Sequence, residues 1–127
     1  MRYWKFDVVQ LIHDYPKNQK TLNAIKTELN AARKAIESPI GATTSGDWRM
    51  MVKILEAREA EYEAYVEMVR LGFNDLPEIE RLVLKWGIIE GMDDDYLLEH
   101  LDIKNKSELK KIMKISLTRF TNIVMPN

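Results

Sequence analysis

The residues of this sequence that could do chemistry are cationic, and they lie near its C-terminus. Residues 103–127 contain five lysines, one arginine and a single acidic residue, Glu108. Ammonium groups gathered in one short stretch favour contact with a polyanion. Catalytic groups are missing or dispersed, because the chain has no cysteine and its two histidines, His13 and His100, lack the spacing of metal ligands. The pattern indicates binding, and we expect no enzymatic activity, metal or cofactor.

The net charge of the whole chain, −1, does not by itself favour an anionic partner. Its distribution does, because residues 1–46 carry a net charge of +3, residues 47–102 carry −9 and residues 103–127 carry +5. A basic end beside an acidic middle is expected when one element faces a polyanion. A solvated helix face gives the same pattern, so charge alone leaves both interpretations open.

Two further stretches resemble ligand-binding loops in composition, but neither has the required spacing of residues. The run Asp93–Asp95 lacks the spaced ligands, glycine and distal glutamate of a calcium loop, so we expect it to cap a helix. Residues 38–46 contain two glycines but not the lysine of a phosphate loop. The lack of cysteine fits a reducing compartment, and no apolar run approaches the roughly 20 residues that span a bilayer. We therefore expect a cytoplasmic protein without a membrane partner.

Helical periodicity predicts two helices before residue 38. Residues 3–14 and 20–37 each place their apolar side chains on one stripe. Tyr15-Pro16 should end the first helix, because the residue before a proline avoids the helical region. Together these segments predict an N-terminal helical hairpin.

A long central helix should follow the uncharged linker at residues 38–46. Asp47 is expected to cap it, Trp48 to Leu71 to form it and Gly72 to stop it. Apolar residues recur along this helix every seven positions, and such a stripe needs a partner. Either the preceding helices fold back onto it or a second copy of the chain pairs with it.

Capping residues divide the rest of the chain into three more helices. The first should open at Asp75, with Pro77 in its first turn, and end near Gly87 and Gly91. Asp93 is then expected to cap a short helix over residues 94–101.

The last helix follows a tight turn formed by residues 102–104. Asn105 should cap it, and Glu108 stands where a capping box needs an acidic residue. Its expected buried residues are Leu109, Ile112, Met113, Leu117 and Phe120, and its polar face carries the candidate contacts to DNA. Together with Lys104 of the preceding turn, those candidates are Lys106, Ser107, Lys110, Lys111, Lys114, Thr118 and Arg119.

The order of these elements suits DNA recognition, in which a short helix supports a helix that enters the major groove. We expect Ser107, Lys110, Lys111 and Lys114 to face base edges. Lys104, Lys106 and Arg119 are expected to contact phosphates. An amphipathic helix with a solvated lysine face is the simpler alternative.

The segments Glu80–Leu84, Glu90–Met92 and Leu97–Ile103 resemble the helix-turn-helix of sigma-factor region 4. The chain as a whole resembles small phage and prophage late-gene regulators of the ArpU/RinA type, with Asp14-Tyr15-Pro16 matching a segment of their N-terminal part. Three departures stand out. Leu98 replaces a small residue, Asp102 replaces the turn glycine, and one extra residue precedes the last helix.

The sequence therefore predicts an all-α protein with residues 1–72 as a helical region and residues 73–127 as a helix-turn-helix domain. The resemblance implies a regulator that binds double-stranded DNA and activates prophage late genes. Residues 1–72 would form a homodimer or contact RNA polymerase. Two alternatives stay open: a small terminase subunit of a phage packaging machine, and an adaptor whose helix-turn-helix binds protein.

Overall fold

A computed structural model of the chain describes residues 7–37 and 45–125, and within these ranges it is all-helical without a strand. The predicted all-α class is confirmed. Six α-helices are described: α1 Val8–His13, α2 Tyr15–Glu37, α3 Ser45–Asn74, α4 Glu78–Leu84, α5 Asp94–His100 and α6 Lys106–Val124. A π-helical segment, Lys85–Ile89, continues α4.

The helices form two compact units. One unit contains the described residues up to Pro16 together with those from Glu67 onward, and the other is Lys17–Val66. This grouping differs from the predicted division at residue 72, because α1 packs against the π-helical segment and α6. Its side chains Val8, Leu11 and Ile12 are buried. The first four residues of the predicted helix, 3–6, lie outside the described ranges.

Pro16 begins a helix instead of ending one. The first helix stops at His13, Asp14 occupies a turn, and α2 starts at Tyr15, five residues before the predicted start at Lys20. A proline in the first turn of a helix gives up an N–H that has no intrahelical acceptor, so it costs little there. Gln10 Nε2 donates to Asp14 Oδ1 over 2.8 Å, which holds the turn.

The unit Lys17–Val66 is an antiparallel pair formed by α2 and the first part of α3. Ile25, Leu29 and Ala32 of α2 form a buried cluster with Leu55 of α3. Two ion pairs border the cluster: Lys26 Nζ lies 3.2 Å from Glu63 Oε1, and Arg33 Nη2 lies 3.3 Å from Glu56 Oε2. The prediction that an N-terminal helix folds back onto the central helix is confirmed for α2.

Gly72 does not end α3, which continues to Asn74. The residue is buried, and a Cβ built on it would lie 2.3 Å from Phe120 Cε2. Phe120 of α6 has no exposed surface, and its ring meets that of Phe73 edge to face with centroids 5.8 Å apart. The glycine therefore makes room for an aromatic side chain, and it serves packing instead of a left-handed stop.

The predicted start of α4 at Asp75 is wrong, whereas the predicted end near Gly87 and Gly91 is confirmed, since the π-helical continuation stops at Ile89. Pro77, not Asp75, occupies the position before the helix, with φ −56° and ψ 152°. Gly87 lies inside the π-helical segment, where a Cβ would come within 3.1 Å of Met113 Cε. The chain leaves the helix only near Gly91, which has φ +65°. Gly91 is needed for its backbone angle, whereas a Cβ at Gly87 would crowd only the flexible end of Met113.

Candidate nucleic-acid interface

The two helices at the candidate site begin with the caps that the sequence predicted. Asp93 accepts a hydrogen bond from the backbone N–H of Tyr96 over 2.8 Å at the start of α5. Asn105 accepts one from the backbone N–H of Glu108 over 2.8 Å at the start of α6. Each cap satisfies an N–H that has no partner within its helix and so fixes where the helix begins.

The turn between α5 and α6 is a Schellman motif. Ile103 N donates to the carbonyl of Leu98 over 3.0 Å, and Asp102 between them has φ 55°. A residue in this position adopts the left-handed conformation that glycine prefers, and aspartate tolerates it better than most side chains. The turn therefore keeps its geometry although Asp102 stands where the resemblance has glycine. Ile103 is buried beneath it.

A hydrophobic cluster joins α4, α5 and α6 into one support. Its buried members are Val83 of α4, Leu97 of α5, Ile103 of the turn and Leu109 of α6. Half-buried side chains pack around them, among them Trp86, Leu98 and Met113. Leu98 is thus accommodated at the edge of the cluster, although it is larger than the residue that the resemblance places there. The cluster holds α6 in a fixed position against the two helices that precede it.

The predicted polar face of the last helix is exposed. Every side chain from Lys104 to Lys114 that was expected to contact DNA is exposed to solvent, and so are Thr118 and Arg119. Within the described ranges, the five lysines have no carboxylate within ion-pair distance. Four of them, at positions 106, 110, 111 and 114, span an arc of about 140° on the helical wheel. The arc is a concentrated and accessible source of positive potential.

Arg119 differs from the lysines because it has a partner inside the protein. Its Nε lies 3.2 Å from Oε1 of Glu80 in α4, a carboxylate of which only 10% is exposed. The contact is an ion pair without a hydrogen bond, since Glu80 Oε1 has no hydrogen-bond partner among the described residues. The exposed part of Arg119 could still reach a phosphate, yet its nearest charge is internal. This pair could not be predicted from the sequence, because the burial of Glu80 follows only from how α4 and α6 pack.

The apolar side of α6 is less buried than predicted. Leu109 and Phe120 are buried as expected, but Ile112, Met113 and Leu117 are only half-buried. Ser116, which was not predicted to be buried, lies inside and donates its hydroxyl to the carbonyl of Ile112 over 2.6 Å.

An open apolar cleft of about 390 Å³ lies beside the lysines. Leu109, Met113 and Leu117 line it, and Lys110 and Lys114 border it together with Asp94. On the helical wheel Leu117 falls between Lys106 and Lys110, at about 100° per residue. The face of α6 is therefore partly apolar and not purely basic.

Neither histidine lies in a metal-binding arrangement. His100 stacks on Tyr96 with ring centroids 3.9 Å apart, and His13 lies 3.2 Å from Asp14 Oδ1. In the described part of the chain, no group of three or more potential ligand side chains could hold a metal ion. Within the same residues, no helix combines the length and the apolar character needed to cross a membrane.

Among the described residues, one pair has a shifted pKa, and it lies on α3, away from the interface. Hydrogen bonds from Arg70 lower the pKa of Glu67, and Glu67 raises the pKa of Arg70 in return. Arg70 Nε donates to Glu67 Oε2 over 2.9 Å, and both side chains are half exposed. The pair is a surface feature of the helix and has no part in the candidate site.

Comparison of the chain with models of protein families, with functionally characterised proteins and with solved structures gave no match.

Proposed function

We propose that this protein binds double-stranded DNA through α6 and regulates transcription. The observation that carries the proposal is the exposure of five lysines at and along α6 without an acidic partner in the described ranges. The order of supporting helix, short helix, turn and exposed basic helix is the order in which DNA-binding helices are presented to a major groove. The resemblance to sigma-factor region 4 and to ArpU/RinA-type regulators is the reason for proposing activation of prophage late genes.

In this proposal α6 enters the groove with its N-terminal half. The helix has 19 residues and is about 28 Å long, so its N-terminal half, about 14 Å, can lie along several base pairs of the groove. Ser107, Lys110, Lys111 and Lys114 would face base edges, while Lys104 and Lys106 at the helix start would contact phosphates. Backbone N–H groups in the first turn of α6 add to the attraction for phosphate.

Arg119 has a supporting role in the same proposal. Its ion pair with Glu80 ties α6 to α4 on the side away from the lysine-rich first turns. Thr118 donates its hydroxyl to the carbonyl of Lys114 over 2.9 Å, so it is the weaker of the candidate contacts. We therefore assign the binding energy to the lysines and the orientation of the helix to Arg119.

A double charge reversal tests the proposal. Lys110→Glu with Lys114→Glu should remove two phosphate or base contacts and add repulsion, while Lys20→Glu with Lys34→Glu makes the same change of charge on exposed residues of α2. Binding to fragments of the source genome should be measured by fluorescence anisotropy at 50 and 200 mM salt. With about four contacts, the parent should lose roughly a hundredfold in affinity between these concentrations.

The α6 variant should lose binding at both salt concentrations, and the α2 variant should keep the affinity of the parent. If the α6 variant binds as tightly as the parent, α6 is not the DNA-contacting element. If the two variants lose affinity equally, the effect is one of net charge, and the groove assignment is wrong.

The cleft beside α6 favours one other function, that of a protein-binding adaptor. An apolar groove bordered by two lysines suits an amphipathic helix with acidic edges. The two functions respond differently to Leu117→Ala, which removes a wall of the cleft and leaves all the lysines in place. An adaptor would lose its partner, whereas binding to DNA fragments would keep its dependence on salt.

A further inference from the structure

Within the unit Lys17–Val66, the helix α3 has an apolar face that α2 does not cover. Val52, Leu55 and Tyr62 point toward α2. On the helical wheel Met50 and Ile54 lie on the other side of α3, and their exposed fractions are 59% and 50%. A helix with one buried face normally presents charged and polar residues on the opposite one. This second apolar face therefore requires an explanation.

The same face continues along α3 with small residues. Ala57, Ala60 and Ala64 are all exposed, and on the wheel each lies within about 60° of the line through Ala57. The first half of the face thus carries large apolar side chains and the second half carries methyl groups, with Lys53 and Glu61 as the charged residues within the same arc. A flat alanine surface allows another helix to approach closely, and Met50 and Ile54 supply side chains that could fill the space above it.

The surface is complementary to itself when two copies run in opposite directions. With a two-fold axis at Ala57, Met50 of one copy lies over Ala64 of the other, and Ile54 lies over Ala60. A two-fold interface uses the same patch on both subunits, so each large residue meets a small one twice. In a parallel pair, large residues would meet large ones, and the alanines would face each other across a gap.

The charges along α3 favour the same direction. Residues 49–53 contain Arg49 and Lys53 and no acid, whereas residues 59–63 contain three glutamates and no base. An antiparallel pair sets each basic block opposite a partner's acidic block, and a parallel pair sets like against like. Glu63 remains about half exposed beside Lys26, so it is accessible to a second cation.

We propose that two copies of this chain associate through an antiparallel pairing of α3, centred on Ala57. The occupant of the apolar face is thus a second copy of the protein. This association does not depend on DNA binding, although a dimer with two recognition helices would contact more base pairs than a monomer. A single helix face lies at the small end of specific interfaces, so we expect a reversible dimer of micromolar affinity.

Sedimentation equilibrium of the full chain across a concentration series tests the association. The mass should rise from 14.9 kDa toward twice that value. Ile54→Arg should weaken the dimer by at least about tenfold, because it places a charge in the centre of the apolar face. Val9→Arg is the matched control, since Val9 is exposed to nearly the same fraction, 48%, in the other unit. Both variants should keep the circular dichroism of the parent.

A constant mass of 14.9 kDa at every concentration would overturn the proposal, and so would a closed ring of many copies, which a terminase subunit would form. Equal weakening by Ile54→Arg and Val9→Arg would show that another surface is used.

Cysteine cross-linking tests the direction, because the chain has no cysteine of its own. Ala57→Cys should form a disulfide dimer on mild oxidation, since the two-fold axis brings its two copies together. Met50→Cys alone should not, because its copies would lie roughly 21 Å apart along the axis. A mixture of Met50→Cys and Ala64→Cys proteins should cross-link with each other. Homodimers of Met50→Cys forming as fast as those of Ala57→Cys would refute the antiparallel arrangement.

Discussion

Gly72→Ala is a test of packing in which two effects have opposite signs. Alanine is a better helix former than glycine by about 1 kcal/mol in a helix interior, so propensity alone predicts a more stable protein. The structure predicts the reverse, because the new Cβ would lie 2.3 Å from Phe120 Cε2, 2.6 Å from Cδ2 and 3.0 Å from Cζ. Ordinary contacts between carbon atoms are about 3.5–4.0 Å, so the overlap exceeds 1 Å at the nearest atom.

Phe120 has little freedom to relieve that overlap. It is completely buried, and Phe73 packs against its ring. Overpacking of a well-packed site costs about 1–3 kcal/mol, and an overlap of this size belongs at the upper end of that range. After the gain in propensity, we expect Gly72→Ala to destabilise the protein by about 2 kcal/mol. For a chain of this length, that corresponds to a decrease in Tm of roughly 5–10 °C.

Thermal and urea unfolding of Gly72→Ala, Phe120→Leu and the double variant would measure the effect. If the ring is the obstacle, Phe120→Leu should relieve it, and the two substitutions together should cost less than the sum of their separate effects by at least about 1 kcal/mol. Additive effects, or a Gly72→Ala protein more stable than the parent, would refute the reasoning. In that case α6 would not lie where the structure places it against α3.

Two ion pairs, Arg119–Glu80 and Arg70–Glu67, give two further predictions. Arg119→Ala should lower the free energy of unfolding by about 1–3 kcal/mol, because it leaves the buried Glu80 carboxylate without its counter-charge. Adding Glu80→Gln should restore part of the loss, as urea unfolding would show, whereas equal stability of parent and Arg119→Ala would mean that the pair has no structural role. Hydrogen bonding from Arg70 lowers the pKa of Glu67, so this pair contributes stability above the ordinary pKa of glutamate and loses it as the pH falls through the lowered one. NMR titration of Arg70→Ala should return the pKa of Glu67 toward its usual value, and an unchanged value would show that Arg70 is not the cause.

Helix caps and turns were predicted correctly where a single residue and its own backbone determine the local structure. Asp93 and Asn105 cap α5 and α6 as expected, because an acceptor side chain placed before a helix needs no distant partner. Asp102 adopts the left-handed conformation of the turn, which aspartate tolerates without help from a distant residue. The direction of the α6 lysines toward solvent follows from the helical wheel alone.

Prediction of helix ends from the sequence failed at residues that can serve two purposes. Pro16 could end one helix or begin the next, and only the turn at Asp14 decides between them. Gly72 and Gly87 look like helix stops, but they are placed where side chains of α6 approach the backbone. Their role depends on Phe120 and Met113, which are distant in the sequence. The burial of Glu80 was unpredictable for the same reason.

The two proposed functions would use different parts of the face of α6. DNA binding through α6 would depend on Lys110, Lys111 and Lys114, whose attraction to phosphate would weaken as salt rises. A protein helix in the cleft would bury Met113 and Leu117, and burial of apolar surface is strengthened by excluded salts such as sulfate. Raising the salt concentration should therefore weaken the first complex much more than the second. Since both surfaces lie on one helix, a DNA duplex and a protein helix could not occupy it together, and a partner that fits the cleft would compete with DNA.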